Sequence, residues 1–140
     1  MLPMPTPTFT FKKKERLKSL KTIERLFKEG QSFKAYPLRL VFLKNNVLKS
    51  NAPVQFTVSV PKRNFKSAVA RNRIKRKVRE AWRLNKNWLY RKMKDTEEQF
   101  AFMVIYTGRE DLPYKDIEKT MRSINFRFAK KHFPKSNLNK

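Results

Sequence analysis

Between Ala68 and Arg83 the chain reads AVARNRIKRKVREAWR, and the chemistry these side chains offer is recognition of a polyanion. At about 100° per residue the stretch separates into two stripes of a helix. Ile74, Val78, Ala81 and Trp82 recur at spacings of three and four and form an apolar side fit to pack on a core. Asn72, Lys75, Arg76, Arg79 and Arg83 share a second stripe beside it. Arg73 and Lys77 carry the charge round the far side, interrupted by Glu80 alone. Like charges this dense repel one another and weaken an isolated helix, a penalty that a bound polyanion removes. A charge run is usually only a solvated face. Such faces, however, mix both signs, whereas here Arg outnumbers Lys where a planar fork suits phosphate. The stretch reads as an RNA- or DNA-contacting helix.

Other chemistry has little to stand on. The only histidine, His132, has no second histidine for paired acid–base work and reads as a solvated tail residue. The carboxylates come in small groups at predicted element ends: Asp95, Glu97 and Glu98; Glu110 and Asp111; Asp116 and Glu118. Helix termini and solubility account for them there, ahead of a two-metal nuclease site. Gly30 and Gly108 are the only glycines, too few for a phosphate-binding loop, a dinucleotide fingerprint or the glycine signatures of RRM and KH modules. No catalytic residue and no metal ligand is expected in this chain by itself.

Composition agrees. The 140 residues carry 35 Lys and Arg against 11 Asp and Glu, a net charge of +24, which calls for a polyanionic partner. With 39% hydrophobic and 13% aromatic residues the chain is no disordered basic tail, and its length suits one modest core. The absence of cysteine fits a reducing compartment. No apolar run reaches the length of a membrane span, and the N-terminus lacks the pattern of a secretion signal. The expectation is a cytoplasmic protein with no membrane and no protein partner.

These residues need elements to hold them. Residues 1–14 read as a flexible basic arm, with three prolines before Thr10 and Lys12-Lys13-Lys14 after it; Phe9 and Phe11 can dock it. A short first helix follows, capped by Ser19 or Thr22, apolar through Leu20, Ile23, Leu26 and Phe27, and ended by Gly30. Leu38 to Leu43 and Val54 to Val60 read as strands joined by the turn-rich NNVLKSNAP. The second alternates strictly: Val54, Phe56, Val58 and Val60 against Gln55, Thr57 and Ser59, so one sheet face is core and part of the other is open. Asn85 to Asp95 extends or follows the basic helix. Phe100 to Tyr106 is unbroken apolar and reads as an interior strand. Ile117, Met121, Ile124 and Phe128 mark a last helix within Tyr114 to Lys131, closed by Pro134. One α+β domain over residues 15–133 and a basic tail over 134–140 complete the chain.

The stretch around Arg71-Asn72-Arg73, continued by Ile74-Lys75-Arg76 and Arg79-Glu80-Ala81, resembles the signature of the protein subunit of bacterial ribonuclease P. Arg16-Leu17-Lys18, Leu26 to Gly30 and Ser59 to Arg63 lie at the matching distances upstream, and the resemblance spans roughly residues 15 to 130. It implies a compact α-β sandwich with a mixed sheet and a left-handed βαβ crossover, against the general right-handed rule. It implies an accessory subunit of a ribonucleoprotein endoribonuclease that removes the 5′ leader of precursor tRNA, with Mg2+-dependent hydrolysis carried out by the RNA subunit. By matching positions, Arg71, Asn72, Arg73, Lys75, Arg76, Arg79 and Arg83 would face that RNA through phosphate contacts. The leader would lie in a cleft between the first helix and the open sheet face, lined by Phe27, Phe42, Thr57, Ser59, Lys62 and Arg63. Three positions depart from the pattern. Ile23 stands where many members carry an aromatic, Pro61 replaces a serine, and the first-strand aromatic falls at Val41 or Phe42. The composition alone also suits a ribosomal or ribosome-associated RNA-binding protein, a protein-only ribonuclease, or, less well, a polybasic membrane binder.

Overall fold

Strict alternation in one strand makes a sheet with two unlike faces, and the whole fold is built on that difference. The structure is a computed structural model and describes residues 11–44, 52–94 and 96–133. Its strands are β1 (Gln31–Ala35), β2 (Leu38–Lys44), β3 (Val54–Ser59) and β4 (Phe100–Tyr106). Its helices are α1 (Leu20–Glu29), α2 (Ala68–Met93) and α3 (Tyr114–His132), preceded by a 3-10 turn at Lys13–Glu15. The strands form one mixed sheet in the order β1-β2-β4-β3, antiparallel except for the parallel pair β3–β4 that α2 connects. This is the α+β architecture expected.

The apolar run of β4 reflects its interior place between β2 and β3. Phe100, Phe102, Val104 and Tyr106 face the larger core under α2 and α3; Ala101 and Met103 face a smaller one with Leu17, Leu26 and Val41. α2 and α3 pack on the first face through the stripes read from their spacing: Ile74, Val78, Ala81 and Trp82, and Ile117, Met121, Ile124 and Phe128 are all buried. α2 runs unbroken over 26 residues, because Lys86, Leu89 and Met93 continue its buried side past Trp82. α1 packs on β2 and β4 from the second face. Ser19 caps it, its hydroxyl accepting from the Thr22 N–H at 3.3 Å. Gly30 ends it where a Cβ would lie 2.4 Å from the Leu26 carbonyl oxygen, a distance only glycine tolerates.

Three features differ from the sequence reading. β1 is an extra edge strand; only Phe33 and Ala35 of QSFKA pack, so its apolar signal is too thin to read. His132 is not a solvated tail residue. It forms the last turn of α3, with its ring 4.5 Å from Phe128 and 5.1 Å from Phe42 between centroids, and burial together with Lys131 lowers its pKa. Residues 11–14 of the expected arm are docked, with Phe11 set edge-on to Phe56 at 6.0 Å. Residues 1–10, the 134–140 tail, Asp95 and most of the NNVLKSNAP turn lie outside the described residues.

A buried ion pair ties the N-terminal segment to α2. Glu15 and Lys86, 4% and 3% exposed, meet directly, and the Tyr90 hydroxyl donates to the same carboxylate at 2.7 Å. The Lys12 N–H adds a third hydrogen bond at 3.1 Å. Burial pushes the Glu15 carboxyl up, but the bonds from Lys86, Tyr90 and Lys12 outweigh it and hold the pKa below the usual range. Removing one partner of such a pair leaves the other charge stranded. Glu15→Gln should therefore lower the unfolding free energy by about 3–5 kcal/mol in urea melts, and adding Lys86→Met should restore most of it. Since the folded pKa is depressed, the unfolded chain takes up the proton first on acidification. The stabilisation is complete above the ordinary value of 4.5 and fades as pH falls through the folded one. An unaltered acid limb in Glu15→Gln would refute this.

Candidate nucleic-acid interface

The basic residues of α2 divide by what they already hold. Arg71 donates to the carbonyl oxygens of Phe65 and Lys66 at 2.8 and 2.9 Å, closing the loop that leads into the helix. Arg73 and Lys77 both grip Asp111, at 2.7 and 2.6 Å, and Lys77 also donates to the Leu112 carbonyl at 3.1 Å. Burial raises the Asp111 pKa, but Lys77 and Arg73 overcome it and keep the carboxylate charged. Arg83 makes a fork to Glu80, at 2.6 and 3.0 Å. Among the described residues Lys75, Arg76 and Arg79 have no acidic partner. Asn72, Arg76 and Arg79 are exposed and Lys75 is half-exposed. Of the RNA-facing residues expected from the sequence, Asn72, Lys75, Arg76 and Arg79 thus offer a stripe open to a polyanion, while Arg71, Arg73 and Arg83 are engaged within the protein.

Arg79 sits in a second setting as well. It lines a hollow of about 280 Å³ with Phe11, Arg16, Leu17, Lys18 and Thr57. Partial burial and the adjacent Arg16 lower its pKa, so the guanidinium would be relieved by an incoming anion. The hollow joins a residue expected to meet one RNA (Arg79) with one expected in the cleft (Thr57).

On the second sheet face α1 covers β2 and β4, and the polar positions of β3, Gln55, Thr57 and Ser59, stay half-exposed. Past Ser59 a larger concavity of about 770 Å³ opens, lined by Arg39, Pro61, Arg63, Asn64, Thr107 and Arg109 among others. Parallel pairing of β3 with β4 puts the residues following both strands side by side, which brings Arg109 to Arg63. Arg39 joins them through the antiparallel pairing of β2 with β4, opposite Ile105, so no stretch of sequence shows Arg39, Asn64 and Arg109 together. Lys62 is exposed on the same loop.

Phe27 is 68% exposed on α1, with Leu20 at 76% one face-repeat earlier, so plain core packing does not describe it. Phe42, expected in the cleft, lies elsewhere. It is 3% exposed and faces the α2–α3 core, packed against Phe102, Phe128 and His132. Side chains alternate along β2, so it is Val41 that points to the α1 side, in the smaller core. Phe42 cannot line the cleft without opening the core.

Among the described residues no group of three or more His, Cys, Asp or Glu is placed to hold a metal ion. None of the described helices is long and apolar enough to cross a membrane.

Comparison with known proteins bears on the same residues. The family model for ribonuclease P matches residues 11–129. A ribonuclease P protein component of Porphyromonas gingivalis is 40% identical over 129 residues, covering 88% of this chain and 89% of that one. In three dimensions the chain is similar to the RNase P protein of Staphylococcus aureus, with TM-score 0.64, 22% identity, and 83% and 95% of the two chains covered. It is also similar to the RNase P protein from Thermotoga maritima, with TM-score 0.64, 23% identity, and 81% and 96% covered.

The division among the arginines makes a prediction about salt. Arg76→Ala with Arg79→Ala should flatten the log–log salt dependence of RNA binding by about one to two units, one lost phosphate contact each. Arg73→Ala should change that slope far less and act on the fold, by about 1 kcal/mol or less for so exposed a pair. Equal slope changes for the two variants would show that the ion pair to Asp111 does not distinguish Arg73 from its neighbours.

Proposed function

The chain belongs to the ribonuclease P family, and from that premise we propose that it is the protein component that holds the catalytic RNA with one surface and the 5′ leader of precursor tRNA with another. The observation that carries the reading is the division of the surface. A stripe of cations without acidic partners lies on α2, and apart from it an exposed phenylalanine stands on the helix that covers the half-polar sheet face.

Each surface suits its ligand. Asn72, Lys75, Arg76 and Arg79 on a straight helix match the phosphates of a folded RNA, giving affinity and register. Arg71, Arg73 and Arg83 support that contact by holding the flanking loops and the helix surface in place; a denser phosphate array could also recruit their remaining donors. In the cleft, Phe27 offers a stacking platform, Thr57 and Ser59 offer hydroxyls, and Lys62 and Arg63 neutralise backbone charge. That combination suits a single strand without reading its sequence.

Hydrolysis belongs to the RNA. His132 is wedged among phenylalanines, and the described carboxylates form no metal cluster. What the protein contributes is binding and orientation: substrate with a leader is retained, and product without one is released.

Protein freed of RNA should leave precursor tRNA uncut, and site-specific, metal-dependent cleavage by such a preparation would assign the chain to the protein-only class. In the reconstituted particle, precursor tRNA should bind more tightly than mature tRNA. Phe27→Ala should shrink that margin by about 1–3 kcal/mol if a base stacks there. Because Phe27 is exposed, its melting temperature should stay near that of the parent. An unchanged margin in a fully folded variant would remove Phe27 from the site.

A further inference from the structure

Behind its apolar stripe α3 carries a second pattern, on the side that faces solvent. Lys115, Lys119, Arg122, Phe126 and Lys130 follow one another at intervals of four, three, four and four residues. At about 100° per residue they keep within roughly 80° of arc, and all of them are exposed. With a rise of about 1.5 Å per residue the line is on the order of 22 Å long. Ile117, Met121, Ile124 and Phe128 are buried on the opposite side. The line also looks away from the basic stripe of α2. Trp88, whose ring meets that of Phe126 at 6.2 Å between centroids, lies about 180° round α2 from Arg79.

The cations of α3 divide as those of α2 do. Arg127 donates to the Lys34 carbonyl oxygen at 2.9 Å, its guanidinium 4.3 Å from the Phe33 ring centroid, and Lys131 reaches the Gln31 side chain at 3.5 Å. Those two hold the edge strand β1. Lys115, Lys119, Arg122 and Lys130 have no acidic partner among the described residues. The acids of the helix are turned off the line. Asp116 stands about 100° round from Lys115, and Glu118 accepts from Asn85 and Tyr114 at 3.3 and 3.4 Å. A face that serves solubility mixes both signs. Like charges at spacings of three and four destabilise the helix that carries them, and an anion laid along the line removes that penalty.

We propose that this outer line of α3 is a second RNA-docking surface, which holds the phosphate backbone of a double-helical RNA segment other than the one on α2. A straight, rigid row of cations suits the regular phosphates of a duplex, which proteins recognise by shape and backbone charge without reading sequence. A lipid surface calls for a broad apolar face, and Phe126 is the only apolar side chain among the residues of the line. The inference rests on the reading that α2 binds RNA. Once it does, other segments of the same folded molecule stand around α3 at high effective concentration. Because the two rows point in opposite directions, no single straight duplex reaches both. The protein is then a strut between two segments of one RNA.

The chain has no cysteine, so a thiol-linked photo-crosslinker goes to one chosen position at a time. Ser123→Cys, exposed beside Arg122, reports on α3, and Val69→Cys, at a position 70% exposed two turns before Arg76, reports on α2. In the particle reconstituted with ribonuclease P RNA both probes should mark the RNA, each in a different segment, with the Ser123 marks on paired nucleotides. Lys119→Gln with Arg122→Gln should flatten the log–log salt dependence of RNA binding by about one to two units at an unchanged melting temperature. Lys28→Gln with Lys94→Gln, which removes the same charge from α1 and the end of α2, should change it far less. Equal flattening by the two pairs would reduce the line to general charge and overturn the proposal. A Ser123 probe that leaves the RNA unmarked while the Val69 probe marks it would do the same. So would oligoglutamate or phosphatidylglycerol vesicles that shield Ser123→Cys from a thiol reagent as well as a short RNA duplex does, since the face would then belong to an acidic protein or a membrane. Silence from both probes in a particle that still forms would sink the reading of α2, and this inference with it.

Discussion

Trp82 lies flat on Phe56, the two rings 4.6 Å apart and inclined by only 5°, and both are buried. An aromatic pair of this kind adds about 0.5–1.5 kcal/mol beyond the area it buries. Its larger effect is geometric. A helix resting on a sheet can roll about its axis unless something flat holds it, and the stacked indole sets the roll of α2. With Trp82 turned inward beside Ile74 and Val78, Asn72, Arg76 and Arg79 are turned outward together. The basic stripe of α2 depends on that one orientation. The same indole contacts Phe102 and Tyr90, so the central strand and the buried ion pair share the support.

A chain with so large a positive charge resists its own folding through self-repulsion. The acids present are therefore placed with economy. Asp111 answers both Arg73 and Lys77, Glu80 answers Arg83, and Glu15 answers Lys86 in the interior. Lys75, Arg76 and Arg79 have no such acid among the described residues. Burial raises the Tyr90 pKa, and the hydrogen bond to Glu15 and the charge of that carboxylate raise it further, so the phenol stays a donor and the network stays complete. This buried network anchors the segment ahead of α1 to the helix that carries the basic stripe. The two candidate RNA surfaces are thus mechanically joined, meeting at the hollow that Thr57 shares with Arg79.

The sheet supplies the second organising asymmetry. Its core face accepts α2 and α3 along their full apolar stripes, while α1, with ten residues, covers only part of the other face. A short helix cannot seal a four-stranded sheet, and the uncovered part falls on β3, whose outward side chains are polar. The open face is consequently wettable without being sticky. Phe42 marks the boundary: one residue along β2 separates a side chain sealed in the core from one on the α1 side.

The periodicities of the sequence determined most of the architecture. Spacings of three and four in Ile74 to Trp82 and in Ile117 to Phe128, and of two in Val54 to Val58, each describe burial on one side of one element, and local geometry alone carries that information. The same holds for the density of arginine on α2. Tertiary structure decided what pairs of distant elements share. Nothing local says that Arg73 meets Asp111 across 38 positions or that Glu15 finds Lys86 across 71. Nor does it say that Arg39, Arg63 and Arg109 border one concavity. β1 was too thinly apolar to see, and His132 looked solvated because aromatic neighbours from β2 and β4 close over it only after folding. The sequence by itself determined that a dense basic stripe would lie beside the apolar side of one helix. Which of its cations lack an acidic partner among the described residues was decided by the acids that the fold brings to the others, because an ion pair depends on distance in space and residue spacing along the chain does not contain it.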